Sequence, residues 1–395
     1  MYGFFVEPGD RMAVGSIIIG AGINGLAAAV ALQQLGMEAH VFEKKQQAET
    51  ESGGILLTPN AMAVLEHYQL AARLYRMGPS LKRFHYNDPS GTSLMRIPIS
   101  GRNQKHGTLA IHRQDLWNTL HAALKKGTLQ TEKEFVNVEN NENGVVAHFK
   151  DGSTASGDAL IGADGQNSTV YQRMFGDQKF EYAGYICWRG ICARSELITA
   201  DLIFESSGHG HRFGATNIGG GLVYWYACIN LPQETNFAHK TREELVLRFI
   251  RFHAPVAALI EGTPEENIIC QPCFERSPLK NWSKERVTLL GNAAHPMSPI
   301  LGQSICEGLE DGITLANCLN AGHDTPTALA HYEMHRAPRS ALMQRTSQQA
   351  SRLGQVEHPL ACTLRNLALR YTPRFSVHRH YNQILGLSFN GKASA

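Results

Sequence analysis

An α/β fold is predicted: a parallel sheet interrupted by a mostly antiparallel one and closed by a helical C-terminus. Three observations carry this. The apolar run Ser16-Ile17-Ile18-Ile19 leads into Gly20-Ala21-Gly22-Ile23-Asn24-Gly25 and a helix-forming stretch ending near Gly36, the strand, turn, helix order of a dinucleotide site. Two later apolar strands also end in glycine turns: Ala159-Leu160-Ile161-Gly162-Ala163 before Asp164-Gly165, and Val287 to Leu290 before Gly291. Between them, residues 178–280 turn strand-rich and aromatic, with alternating apolar residues separated by glycine turns, the pattern of an antiparallel sheet.

In the first turn, Gly20 permits the sharp exit from the strand, Gly22 lets a pyrophosphate approach the backbone, and Gly25 lets the helix pack on the sheet. The N–H groups at the helix N-terminus, where Ile23 and Asn24 stand, hold phosphate. A second strand, Glu38 to Phe42, ends at Glu43, about 20 residues on, where a carboxylate accepts hydrogen bonds from a ribose; Lys44 completes this nucleotide-facing set. Residues 46–54 read as a polar loop, Pro59-Asn60 opens a helix over Ala61 to Leu70, and Phe84 to Leu94 reads as strand, turn, strand. His112-Arg113-Gln114-Asp115 begins a helix with Leu116, Trp117, Leu120 and Leu124 on its apolar side. Strands with turns at Asn143-Gly144 and Asp151-Gly152 follow. From about Gly302 the chain is mainly helical, and Pro338 is expected to split Pro326 to Arg352 into a helix pair.

The 395 residues suffice for a deep cavity, and 37 Lys+Arg against 35 Asp+Glu leave no basic surface for nucleic acid. No apolar stretch approaches the roughly 20 residues of a membrane span, and the first 13 residues lack a signal peptide's pattern. Eight scattered cysteines form no disulfide framework, so a reducing cytoplasm is expected. Cys270-Gln271-Pro272-Cys273 lacks a second ligand pair and reads as coincidence rather than a metal or redox site; no metal is expected.

Segments 16–36, 162–170 and 290–303, with the lesser motifs His112 to Leu116 and Tyr332 to Arg336, together resemble the single-component FAD-dependent aromatic hydroxylases, the p-hydroxybenzoate hydroxylase-like flavoprotein monooxygenases. The branch acting on salicylate, hydroxybenzoates and urate is the most similar. The resemblance implies a Rossmann-like FAD-binding domain in two parts, 14–177 and 281–355, and an inserted substrate-binding β-sheet domain, 178–280. A short extension, 1–13, and a helical segment with a tail, 356–395, flank them; His358 to Leu387 is expected to pack on the FAD domain rather than on a membrane. It implies FAD held by Gly20, Gly22 and Gly25, with Glu43 on the ribose, Arg113 near the phosphate or ribityl chain, and Asp164-Gly165 beside the pyrophosphate groove. Asn292 would contact the ribityl chain. Pro299, Gly302, Gln303 and Ser304 would pass beside the isoalloxazine, with the following helix aimed at its pyrimidine edge. The implied activity is hydroxylation of a small aromatic or heteroaromatic substrate by NADH or NADPH and O2 through a flavin C4a-hydroperoxide, in a monomer or homodimer. Tailoring of a larger aromatic natural product, and a flavin-binding oxidase or sensor that no longer hydroxylates, stay open.

Three positions depart from the family pattern. Asn292 stands for an aspartate, Ser304 for the second glycine of Gly-Gln-Gly, and Tyr171 for an arginine, with Arg173 nearby as a substitute. The ring pocket is expected between the aromatic sheet and the flavin, walled by Trp188, Phe213, Tyr224, Tyr226, Met297 and Pro299. Arg189, His209, His211 or Arg212 would pair a substrate oxygen. Alternation allows Tyr224 and Tyr226, or Trp225, to face inward, not all three. His295 reads as structural, and no catalytic base is identifiable.

Overall fold

Ile17, Ile18 and Ile19 lie beside Leu160, Ile161 and Gly162 in two central parallel strands, Ala13–Ile19 and Thr154–Gly162. Continuous apolar runs form them because both faces are covered, and the isoleucines are buried throughout. The computed structural model describes residues 13–46, 53–99, 105–142, 144–234 and 242–373. Most of the expected extension, much of the polar loop, Asn143 and the tail from 374 lie outside the described residues.

The first sheet runs Ser283–Lys284, Val287–Leu289, Thr154–Gly162, Ala13–Ile19, Ala39–Phe42, Leu129–Gln130, with the pair Phe135–Asn141 and Gly144–Phe149 folded onto it. The helices Ile23–Gln34 and Ser304–Leu319 pack together against it. A second sheet runs Ile269–Glu275, Glu181–Cys192, Leu222–Asn230, His211–Gly219, Leu202–Ser207, Arg83–Asn87, Ser93–Pro98. Its last two strands come from the segment assigned by sequence to the first domain. Strand Arg83–Asn87 pairs in parallel along Leu202–Ser207, so 178–280 is not a self-contained sheet.

The two faces of this second sheet have different partners. Phe213, Ala215, Trp225, Ala227, Ile186 and Trp188 form a buried core with Leu245 and Phe249 of helix Arg242–Phe249 and with helix Val256–Glu261. The opposite face carries Tyr185, Cys187, Arg189, Tyr224, Tyr226, Cys228, Arg212 and Glu205, by the cross-strand pairs Cys187 to Cys228, Arg189 to Tyr226 and Arg212 to Cys228. Strand Gly54–Leu57 of a small third sheet meets that face.

Two expectations are corrected here. Helix Thr325–Gly354 runs unbroken through Pro338: the proline lies on the exposed side, where its missing N–H costs one backbone bond, while Tyr332, Arg336, Ser340, Met343, Ser347 and Ser351 bury the other side on both flanks. Trp188 and Phe213, expected in the pocket, lie in the core on the far face of the sheet, because side chains one position apart on a strand point oppositely. Cys270 and Cys273, three apart on one strand, likewise point to opposite faces. All eight cysteines are free. Among the described residues no group of side chains is arranged to hold a metal, and no helix is long and apolar enough to cross a membrane.

Candidate cofactor groove and active site

The glycine turn has the required shape. Gly20 takes φ +106°, and a side chain there would meet the Ala163 carbonyl at 2.6 Å. A Cβ on Gly25 would lie 2.0 Å from the Gly20 oxygen, whereas one on Gly22 would meet nothing within 4 Å. Helix and strand are therefore as close as glycine allows, and the space above Gly22 is open. The turn is held from outside: Trp117 Nε1 donates to the Ala21 carbonyl at 2.8 Å, and the Ala21 N–H donates to Glu43 Oε2 at 2.9 Å. Glu43 Oε1 accepts from the Lys45 N–H at 3.0 Å. The Ile23 side chain is in the core, Lys44 is exposed, and the Asn24 side chain packs against Gly291 and Gly308. Ile23 and Asn24 thus offer the groove only their backbones.

Asp164 sits opposite. Its Oδ2 accepts the Val170 N–H at 3.1 Å, while Oδ1 is buried with no partner; burial pushes this carboxyl above its ordinary range, against bonds from Ser168 and Val170. Gly165, at φ +83°, leaves open space beside it. Arg113 heads helix Arg113–Ala123, its N–H on the Gly53 carbonyl at 2.8 Å. Two of the three family departures face one another: Ser304 Oγ donates to Asn292 Oδ1 at 2.5 Å. Gly302 is left-handed, at φ +64°, and Pro299 is exposed. Open space above Gly22 and Gly165 and an unsatisfied acceptor at Asp164 suit the pyrophosphate and sugar hydroxyls of FAD, so the residues present fit that group.

Behind this groove lies a buried ionic cluster. Arg336 donates through Nε to Asp311, Nη1 to Glu310 and Nη2 to Glu307, each at 2.7 Å. Asp311 Oδ2 also accepts the Gly291 N–H at 3.0 Å and lies 2.5 Å from His295 Nε2. Burial works to raise the Asp311 carboxyl, but His295 and Arg336 overcome it and hold it down at about 2. Glu310 accepts from Asn60 Nδ2 at 2.7 Å, Asn60 donates to Gln303 Oε1 at 3.2 Å, and Gln303 Nε2 donates to Thr58 at 2.9 Å. The Gln303 side chain therefore points into the domain and anchors its loop.

On the facing sheet, Tyr224 covers Gly54, whose Cβ would lie 2.5 Å from the ring, and Arg189 bonds to Gln271. Met297 packs with Met343 and Leu301, on the side of the long helix. His209 is exposed at the hairpin tip and His211 bonds the His209 carbonyl, outside the site. A small cavity of about 40 Å³ is bounded by Gly54, Ile55 and Leu56 on one side and Ile203, Thr216, Tyr224 and Tyr226 on the other. Arg212 is 1 % exposed beside Gly354, with Nε and Nη1 making no hydrogen bond and Nη1 3.9 Å from Glu205 Oε2. Sequence reading did not find Glu205, whose carboxylate bonds to Tyr226. Nor did it find Arg276, buried over the Tyr171 ring with Nη2 on the Ala293 and Ala294 carbonyls at 3.1 and 2.8 Å; no motif marks either.

A family model described as FAD binding domain matches residues 13–347. The chain belongs to the FAD-dependent flavoprotein monooxygenases. It is 33 % identical over 356 residues, 90 % of this chain and 93 % of the relative, to the aurachin C monooxygenase/isomerase of Stigmatella aurantiaca. It is 31 % identical to the 6-hydroxynicotinate 3-monooxygenase of Pseudomonas fluorescens, over 87 % of this chain and 93 % of that one. Klebsiella pneumoniae HpxO, solved in complex with FAD and uric acid, superposes with a TM-score of 0.87 at 25 % identity, covering 94 % of this chain and 96 % of that one. This monooxygenase is thus an FAD enzyme of a family that acts on aromatic and heteroaromatic substrates.

Proposed function

We propose that this enzyme uses NADH or NADPH and O2 to hydroxylate a small oxygen-bearing aromatic ring, most readily a nitrogen heterocycle. The relatives named for 6-hydroxynicotinate and a quinolone support that class. The observation that carries the reading is Arg212: a buried guanidinium whose Nε and Nη1 make no hydrogen bond, its charge faced among the described residues only by Glu205 Oε2 at 3.9 Å from Nη1, has donors a ligand oxygen can complete, and it stands on the sheet face that looks toward the 299–304 segment.

The backbone N–H groups after Gly22 bind the pyrophosphate, Glu43 and Asp164 accept sugar hydroxyls, and Asn292, its Oδ1 occupied by Ser304, presents its amide N–H groups to the ribityl chain. Bound FAD supplies the redox chemistry, taking hydride from the nicotinamide and activating O2. Arg212 orients the ring oxygen, and the sheet face that carries it with Tyr224 shields the ring from water.

The FAD-loaded enzyme is assayed for NADH and NADPH oxidation with hydroxypyridines, quinolones, urate and hydroxybenzoates. One ring should accelerate oxidation and be recovered one oxygen atom heavier, with little peroxide. Peroxide formation equal to NAD(P)H consumed with every ring overturns the reading.

A further inference from the structure

Past the long helix the chain forms one more helix, Pro359–Tyr371, which lies against strand Ser93–Pro98 at the edge of the second sheet. Two buried residues fix its inner side. Cys362 Sγ donates to the Val356 carbonyl at 3.2 Å. Arg365, 4 % exposed, donates through Nη2 to the Ser207 and Gly208 carbonyls at 3.3 and 3.4 Å and through Nη1 to the Gly354 carbonyl at 3.4 Å. That grip sets the rotation of the helix about its axis. On the opposite side, at the i, i+4, i+7, i+11 spacing of one helical face, stand Leu360, Leu364, Leu367 and Tyr371, 70, 68, 45 and 76 % exposed. A single exposed leucine is ordinary, but four large apolar side chains along one face form a patch. Gly208 brings a second apolar pair to the same corner: a Cβ on it would lie 3.5 Å from the Phe252 ring, and just before Phe252 the side chains of Leu247 and Ile250 are exposed, with Arg251 exposed beside them.

Charge indicates what meets these side chains. Five of the 37 Lys and Arg residues, namely Arg365, Arg370, Arg374, Arg379 and Lys392, follow Glu357, and none of the 35 Asp and Glu residues does. The chain up to Glu357 therefore holds 32 basic residues against 35 acidic ones. Glu357 itself accepts from Asn230 Nδ2 at 3.2 Å. An apolar stripe with cations and no anion around it is the pattern of a helix lying in the plane of an anionic membrane surface. A second copy brought face to face, or residues 374–395 folded back over the stripe, would instead set like charges against each other. With 13 residues and a buried arginine, the helix is too short and too polar to span a bilayer.

We propose that helix Pro359–Tyr371 docks the enzyme on an anionic lipid surface. Leu360, Leu364, Leu367 and Tyr371 enter the acyl boundary, and Arg370 and the basic residues after it meet headgroup phosphates. Leu247 and Ile250 widen the apolar footprint from the neighbouring turn. The inner face keeps its hold on the sheet, so packing on the protein and on a membrane are not alternatives for this helix. None of these residues is assigned to FAD or to the ring, and the docking does not depend on the proposed function.

The test floats the FAD-loaded full chain with vesicles of phosphatidylcholine alone and of phosphatidylcholine mixed with phosphatidylglycerol. The wild type should float with the mixed vesicles, stay behind with phosphatidylcholine alone, and be released by raised salt. Arg370→Ala should lower the partition coefficient about fivefold, the effect of one basic residue near the surface. Leu364→Ser combined with Leu367→Ser should lower it about tenfold or more. Both leucines are exposed, so FAD affinity and the lipid-free thermal midpoint of this double variant should equal those of the wild type. Wild-type enzyme left behind by the mixed vesicles, or a double variant that floats as well as the wild type, overturns the proposal. A lipid-free dimer that the double variant dissolves, read by sedimentation, assigns the stripe to a second copy and overturns it too. A lowered lipid-free midpoint in the double variant does the same, because the stripe is then covered by the chain's own residues 374–395.

Discussion

Asn292 and Ser304 show how a departure from a family pattern reads differently once its partner is visible. Taken singly, an amide in place of a carboxylate loses a charge-assisted bond, and a serine in place of glycine adds bulk beside the ring. Together they form one hydrogen bond of 2.5 Å that fixes which way the amide points. The pair is expected to act as a unit. In a double-mutant cycle on FAD affinity, read by flavin fluorescence, Asn292→Ala and Ser304→Ala should each weaken binding, and the double variant should weaken it less than the sum, with a coupling of about 1 kcal/mol. Strict additivity would mean that Ser304 does not orient Asn292. Gly214 gives a second prediction at this scale: with a Cβ 2.3 Å from the Tyr226 ring, Gly214→Ala should displace the phenol from the Glu205 carboxylate and lower the thermal midpoint while leaving FAD affinity unchanged, checked by thermal melts and the same flavin fluorescence.

The helix Ser304–Leu319 carries three adjacent acidic positions, Glu307, Glu310 and Asp311, into a buried interface, where Arg336 of the long helix collects all three. Asp311 also holds Gly291 and His295, so the cluster sets the position of the loop that bears Asn292. Its carboxyl titrates near 2, below the ordinary value of 3.8, so it stabilises the fold fully above about pH 4 and loses that contribution as pH falls through 2. Asp311→Asn should therefore destabilise by on the order of 2 kcal/mol at neutral pH. The gap in thermal midpoint from the wild type should close toward pH 2, where aspartic acid and asparagine carry the same charge; a gap independent of pH would contradict the assignment. Such elements also mark what was legible beforehand. The glycine turn, Glu43, the helix at Arg113 and the three strand ends follow from local pattern, because the turns need glycine and the strands need continuous apolar runs. Strand parity is not local: nothing in Trp188 or Phe213 states which face of the sheet meets the first domain, and both went to the other side. Glu205 sits in an apolar strand with no motif around it, and its partners Tyr226 and Arg212 are set by register.

The long helix Thr325–Gly354 joins the two sheets. Gln344 and Ser347 donate to the Pro296 and Ser298 carbonyls at 2.9 and 2.6 Å, Ser351 donates to the Tyr185 hydroxyl at 3.1 Å, and Tyr185 and Ser298 bond at 2.8 Å. The face of the second sheet that carries Arg212 and Glu205 is thereby held against the 296–304 segment by groups from three distant parts of the chain. Strand Leu202–Ser207, which bears Glu205, has its outer edge satisfied by five paired residues of Arg83–Asn87. Phe84 and Ile97 add apolar cover to Ile203. Residues 178–280 expressed alone would leave that edge unpaired and this apolar face open, a combination that aggregates rather than folds. The excised segment is therefore expected to show no cooperative thermal transition by circular dichroism, and the intact chain to melt with both sheets together. A cooperative transition in the segment would mean that its core of Phe213, Trp225 and Phe249 suffices without the earlier strands. The site would then be assembled by docking two independently stable parts, and Tyr185→Phe, which removes the hydroxyl linking Ser298 and Ser351, would weaken ring binding without lowering the segment's own stability.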